Sequence, residues 1–140
     1  MAIDQVVITI PMVPGRHLSG NARTHWGSRK RDARLLREAA KRAVFEGCTG
    51  AEREWLFFGY SPSRIQPRLI YDCEIAWPKG RLSHDDDNAW QMIKPARDGV
   101  AEAARINDST MMTGVMTQMR AGKDQPGRIT LTFRRYDPAL

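Results

Sequence analysis

Apolar residues recur along this chain at two spacings that alternate, and the alternation limits the folds open to it. Residues 4 to 10 place Val6, Ile8 and Ile10 at every second position, the period of a strand. Arg29 to Glu46, with Ser28 as its N-cap, carries Ala33, Leu36, Ala40, Ala43 and Val44 at helical spacing. Pro67 to Trp77 returns to period two, with Leu69, Tyr71, Cys73, Ile75 and Trp77 on one face and Ile70, Asp72, Glu74 and Ala76 on the other. A second helical stripe follows in Trp90, Ile93, Ala96/Arg97, Val100 and Ala104. Thr110 to Arg120 and the stretch through Ile129, Leu131 and Phe133 read as strands, the latter with Arg128, Thr130, Thr132 and Arg134 outward. The order strand, helix, strand, helix, strand, strand predicts an α+β domain with a small mixed sheet backed by two helices. At 140 residues, 41% of them hydrophobic, residues 1–140 make one domain around a single core.

Breakers set the boundaries. Pro11 and Pro14 end the first strand, and Gly15 to Gly27 reads as a loop able to carry function. Gly47 closes the first helix, Pro95 should kink or restart the second, Gly114 marks a bulge, and Gly122 to Gly127 is a turn. Met111, Met112, Met116 and Met119 read as core filling. Thr49 to Pro67 follows neither period. Its Trp55-Leu56-Phe57-Phe58 run is expected to pack on the core as a short strand or helical turn, the alternative being an apolar patch that joins a second subunit.

The formal net charge of +6 comes mainly from arginine, whose planar fork grips phosphate with two hydrogen bonds, so the balance favours a nucleic-acid partner. Arg16, Asn21, Arg23 and His25 in the first loop offer phosphate contacts, though His25 reads equally as a surface or turn histidine. Arg29, Lys30, Arg34 and Arg37 lie on the polar faces of the first helix, and Lys79 and Arg81 on a basic turn. A solvated face laced with i,i+4 pairs explains the helix charges as well as a DNA track does. Cys48 and Cys73 are too few and too isolated for a disulfide framework or a zinc site. No apolar run approaches the roughly 20 residues of a membrane span, and the N-terminus lacks the regions of a signal peptide, so a cytoplasmic location is expected.

Against that basic background stands His84-Asp85-Asp86-Asp87-Asn88. Adjacent carboxylates repel, and a divalent cation of the Mg²⁺ or Mn²⁺ type is the usual reason to keep them together. Capping of the following helix by Asp86 or Asp87 is the competing reading, because helix N-termini favour Asp and Asn. An EF-hand loop is excluded, since Ala89 stands at a ligand position and the required Gly and closing Glu are missing. Glu74 on the neighbouring strand is either a support for the metal through water or an ordinary residue of the open sheet face. Lys94 and Asp98, four apart, share a helix face.

Asp85-x-Asp87-Asn88, then Lys94 and Asp98-Gly99-Val100, then Asp108 resemble the RusA family of Holliday junction resolvases, particularly its phage and prophage members. Val6-Val7-Ile8-Thr9-Ile10-Pro11 with Pro14, Asn21 and Arg23-Thr24-His25 is similar to the family's first strand and loop. Gly127-Arg128-Ile129-Thr130-Leu131-Thr132 is similar to its last strand, so the likeness covers all but residues 48 to 66. The family lysine falls three residues after the Asn, where this chain has Gln91; either Lys94, offset by about one helical turn, takes its place, as the Lys94-Pro95-Ala96-Arg97-Asp98-Gly99 spacing favours, or Gln91 has replaced the lysine. Asn107 stands where the family has the first of two acidic residues, which leaves Asp108 as the charged one.

The resemblance implies an Mg²⁺-dependent endonuclease, with Mn²⁺ as a substitute, acting as a homodimer on four-way junctions and other branched DNA. It implies Asp85, Asp87 and Asp108 as metal ligands and Lys94 as the group that neutralises developing charge. Asp98 would orient Lys94 or support the metal ligands from behind, and Asn88 would fix the neighbouring carboxylates or cap the helix. Two other classes of function remain open on the same residues: a DNA-binding protein on this fold without catalysis, and a partner-binding protein that uses Trp55 to Phe58. The Glu-x-Lys nuclease class is disfavoured, because Asp72-x-Glu74 is not followed by its lysine.

Overall fold

A computed structural model of the chain describes residues 2–20, 26–58, 69–107 and 111–136. Alternation makes the first strand, β1 (Gln5–Ile10): Val6, Ile8 and Ile10 are buried and the residues between them exposed. A short 3₁₀ turn (Arg16–Leu18) drops Leu18 into the core. Helix α1 (Trp26–Gly47) then buries Leu36, Ala40 and Val44. It starts at Trp26, so Ser28 lies within its first turn and is not its cap. The exposed Trp26 ring is covered from one turn on by the Lys30 ammonium, 4.9 Å from its centroid.

A second helix, α2 (Gly50–Phe58), occupies the stretch that neither period explained, so three helices stand where two were expected. Thr49 starts it with a reciprocal cap: the Glu52 N–H donates to Thr49 Oγ1 at 3.1 Å, and the Thr49 N–H donates to Glu52 Oε1 at 2.9 Å. Trp55 and Leu56 are buried, as expected of core packing, while Phe57 is exposed. The Arg135 guanidinium covers the Trp55 ring at 4.9 Å.

Strand β2 (Leu69–Trp77) is the middle of the molecule, and α3 (Asp86–Ala104), β3 (Met111–Arg120) and β4 (Arg128–Arg135) follow it. The four strands form one mixed sheet in the order β1-β4-β2-β3, with β2 and β3 parallel and β4 antiparallel to both of its neighbours. The last strand therefore inserts between the first two, aligning Leu131 with Ile8 on one side and Cys73 on the other. One face of the sheet is covered by α1 and α3, and Val6, Ile8, Cys73, Ile75, Leu131 and Phe133 meet the helices there in a single core. Burial pushes the Cys73 thiol up to about 12, so it stays neutral and inert.

The register of β2 against β3 shifts between Tyr71 and Cys73, which face Thr113 and Met116. This is the bulge expected at Gly114. The Asp72 carboxylate fills it, accepting the Val115 N–H at 2.8 Å, and a Cβ at Gly114 would collide with that same carboxylate oxygen. Of the four methionines, Met111 and Met116 are buried and Met119 is exposed, so only part of the series fills the core.

Pro95 neither ends nor restarts α3, which runs unbroken from Asp86 to Ala104. Its ring removes the donor that would reach the Gln91 carbonyl. The helix lies close against α1: a Cβ on Gly99 would run into the Arg37 carbonyl oxygen and come within 2.9 Å of the Ala40 Cβ. Arg105 ends α3 in the left-handed region, at φ 60°. No helix among the described residues is long and apolar enough to cross a membrane.

Candidate active site

The mouth of α3 opens beyond the carboxyl end of β2, the end at which ligands gather in sheets with parallel strands. Asp85, and not Asp86 or Asp87, is the N-cap. Its backbone is extended, its Oδ1 accepts the Asn88 N–H at 2.7 Å, and its carbonyl accepts the Ala89 N–H at 2.9 Å. Asp86 and Asp87 form the first turn and are both exposed. Three negative charges thus sit where the free N–H groups and the helix dipole favour them, which offsets part of their mutual repulsion.

Two amide side chains hold this mouth. Asn88 is buried, with 7% of its surface exposed, and neither caps the helix nor touches the carboxylates with its side chain. Its Oδ1 accepts the Gly20 N–H at 2.8 Å, and its Nδ2 donates to Ser19 Oγ at 3.0 Å and lies 3.1 Å from His84 Nδ1. It therefore ties the end of the first loop to α3. Gln118 does the same from the sheet. Its Oε1 accepts the Trp77 indole N–H and the His84 N–H, both at 2.9 Å. Its Nε2 donates to the His84 carbonyl at 2.6 Å and to Asp86 Oδ1 at 3.3 Å. All four hydrogen-bonding positions of that amide are engaged, and they fix the backbone immediately before the three carboxylates.

Gln118, Ser19 and Gly20 had not been singled out in the sequence. The one available signal was a glutamine at an inward position of β3, beside Trp77 on the helix side of the sheet. Glu74, by contrast, faces the open side, where the Arg128 guanidinium lies 3.7 Å away, so it is not a support for the acidic mouth.

Lys94 is exposed on the same stripe of α3 as Asp87 and Gln91, two turns or about 10.5 Å along the axis from Asp87. Asp98 does not orient Lys94. The Asp98 carboxylate pairs with Arg97, at 3.1 Å from Nη2 and 3.3 Å from Nε. Gln91 lies one turn from Asp87 and beside the loop, its Oε1 3.0 Å from where a Gly20 Cβ would stand.

Asp108 lies outside the described residues, as do Asn21, Arg23 and His25. Among the described residues no group of three His, Cys, Asp or Glu side chains is placed to hold a metal. Asp85 and Asp87 are hard oxygen donors two residues apart at the start of the helix, and one Asp85 oxygen is used by the cap. Gly20, the last described residue before the segment that carries Asn21, Arg23 and His25, is bonded to α3 at this mouth.

The basic residues divide into two groups. On α1, Arg34 and Arg37 are exposed and continue the stripe from Lys30, whereas the Arg29 Nη2 turns back to the Ser19 carbonyl at 3.3 Å. Around the turn before the mouth, Arg81 donates to the Pro14 carbonyl at 2.8 Å and lies 5.0 Å from the Trp77 ring centroid. Arg16 reaches the Gly80 carbonyl at 3.4 Å, and Lys79 is exposed beside them. Burial, and after it the Arg16 charge, lower the Arg81 pKa.

No family model matches the chain. It is similar to an uncharacterised protein of Xylella fastidiosa, 33% identical over 109 residues, which are 72% of this chain and 59% of the relative. The chain thus spans less than two thirds of that relative's length.

Proposed function

We propose that this chain is a metal-dependent endonuclease that nicks branched DNA, with the mouth of α3 as its cutting site. The observation that carries the reading is the construction of that mouth. Three adjacent carboxylates stand in a basic protein at a helix mouth whose flanking backbone is fixed by two amides from separate elements, one of which also reaches Asp86, beside arginines that bear on the same turn. A cap alone needs one carboxylate, and it uses Asp85 only.

In this reading Asp85, Asp87 and Asp108 would hold Mg²⁺ or Mn²⁺, which when bound supplies a Lewis acid for phosphodiester hydrolysis. Gln118 and the cap bond limit the rotation of the loop, so the carboxylates reach the substrate pre-organised. Lys94 brings a positive charge toward the phosphate as negative charge develops on its oxygens. Lys30, Arg34 and Arg37 offer about two turns of helix to the DNA backbone. In a homodimer two such mouths would nick two strands of one four-way junction.

Asp87→Asn tests the reading, because Asp87 is exposed and makes none of the cap or clamp bonds. The variant should fold and bind junction DNA at least as tightly as wild type, with cleavage down by more than about a hundredfold, the scale of losing a principal charge from a catalytic site. Unchanged cleavage would remove Asp87 from the mechanism. A wild-type protein that binds junctions and never cuts them, in Mg²⁺ or Mn²⁺, would leave a branched-DNA-binding protein on the same fold.

A further inference from the structure

Three guanidiniums converge on the turn between β2 and α3. Arg81 donates to the Pro14 carbonyl and Arg16 to the Gly80 carbonyl, while Arg120 donates to the Arg81 carbonyl and, at 3.5 Å, to that of Pro78. Every one of these acceptors is a neutral carbonyl. Among the described residues none of the three arginines has a carboxylate within ion-pair distance. Cations elsewhere in the same molecule do find one: Arg97 with Asp98 at 3.1 Å, Lys41 with Glu102 at 3.0 Å, Arg134 with Asp72 at 3.5 Å. The nearest compensation is Asp32, and its Oδ2 is already bonded to the His17 N–H at 3.1 Å.

Between Arg16 and Arg81 lies a cavity of about 290 Å³, lined by those two residues with Gly80, Leu82 and His84. Arg81 is held on the Trp77 ring and half-buried, and burial and Arg16 both oppose its charge. Concentrating like charge around a cavity without a carboxylate costs stability, and an anion entering the cavity offsets that cost. Two forked donors on one side suit an anion with several acceptor oxygens. His84, at the rim, is directly followed by Asp85.

We propose that the cavity between Arg16 and Arg81 is a phosphate site that seats one phosphodiester of the DNA backbone, next along the strand from the acidic mouth. The assignment to DNA rests on the nuclease reading; the affinity for phosphate does not. Both guanidiniums hold the same phosphate, so they act as a unit. The strand is thereby anchored beside the carboxylates by its backbone, independently of base sequence.

The test is junction binding by fluorescence anisotropy in EDTA, across about 50 to 200 mM salt, for wild type, Arg16→Gln, Arg81→Gln and the double variant. Each single variant should weaken binding about tenfold and lower the slope of log K against log salt by about 0.9, one phosphate's worth. The double variant should lower the slope by that same single step. Two steps in the double variant, or none in the singles, overturns the shared site. Arg16 is exposed and lightly bonded, so Arg16→Gln keeps its fold even where Arg81→Gln, stripped from Trp77, melts early.

Inorganic phosphate is the second probe. At equal ionic strength it should displace the junction from wild type better than chloride does, and lose that advantage in Arg16→Gln; equal competition overturns the phosphate site. Phosphate binding that the Arg16→Gln change abolishes, in a protein with no affinity for DNA, overturns the backbone assignment. Because binding is read without metal, the two readings fail separately. Junctions cut by a protein whose affinity and salt slope ignore both arginines would sink the site and spare the nuclease, and the converse result would do the reverse.

Discussion

Asp85 does two jobs that substitution can separate. Its Oδ1 caps α3, and in the proposed mechanism its charge belongs to the metal site. Asparagine caps a helix as well as aspartate does, so Asp85→Asn should stay within about 0.5 kcal/mol of wild-type stability, whereas Asp85→Ala should lose about 1 kcal/mol. Urea unfolding measures the difference. Both variants should lose cleavage, and cleavage surviving in Asp85→Asn would reduce Asp85 to a cap. Gln118 is the second test at this scale. Gln118→Ala strands the Trp77 indole N–H and both backbone groups of His84 in a half-buried site, at a cost of about 1–2 kcal/mol. Cleavage should fall further than this stability loss accounts for, because the loop before the carboxylates is released. The acids were plain in the sequence because their chemistry is local. Gln118 was not, since its partners lie 34 and 41 residues away and meet it only when β2, β3 and the loop come together.

The elements were legible where one period ran without interruption. The strands β1, β2 and β4 and the buried stripes of α1 and α3 lie where the spacing put them. Helix α2 announced itself by Thr49-Gly50-Ala51-Glu52, a capping box, rather than by a long apolar stripe, and a nine-residue helix gives the periodicity little room. Pro95 does not restart the helix, because a proline removes one bond from a helix whose buried face supplies the rest of its stability. That buried face is narrow at one point. Gly99→Ala would drive a methyl into the Arg37 carbonyl and the Ala40 side chain, and α1 and α3 would have to separate. A loss of about 1–3 kcal/mol is expected, visible as a lowered thermal midpoint; an unchanged midpoint would show that α1 and α3 cross with room for a methyl at Gly99.

At the scale of the whole molecule, strand order was the part no local pattern carried. The last strand inserts between the first and second, and only the parallel pairing of β2 with β3 around α3 puts the acidic mouth at one end of the sheet. The same topology sets the arginine-rich turn beside that mouth and leaves the opposite sheet face to the pairs Glu74–Arg128 and Asp72–Arg134. Among the described residues charge is thus divided by location: paired on the open face, and without a carboxylate in ion-pair distance around the turn. Under the proposed function, the end of the sheet holds a DNA strand and cuts it. The most direct test is cleavage of an end-labelled synthetic four-way junction beside a linear duplex of the same sequence, in Mg²⁺ and in EDTA. Paired, symmetric nicks in the junction, absent from the duplex and lost in EDTA, are the predicted result. Intact junctions in Mg²⁺, or equal cutting of the duplex, would contradict it.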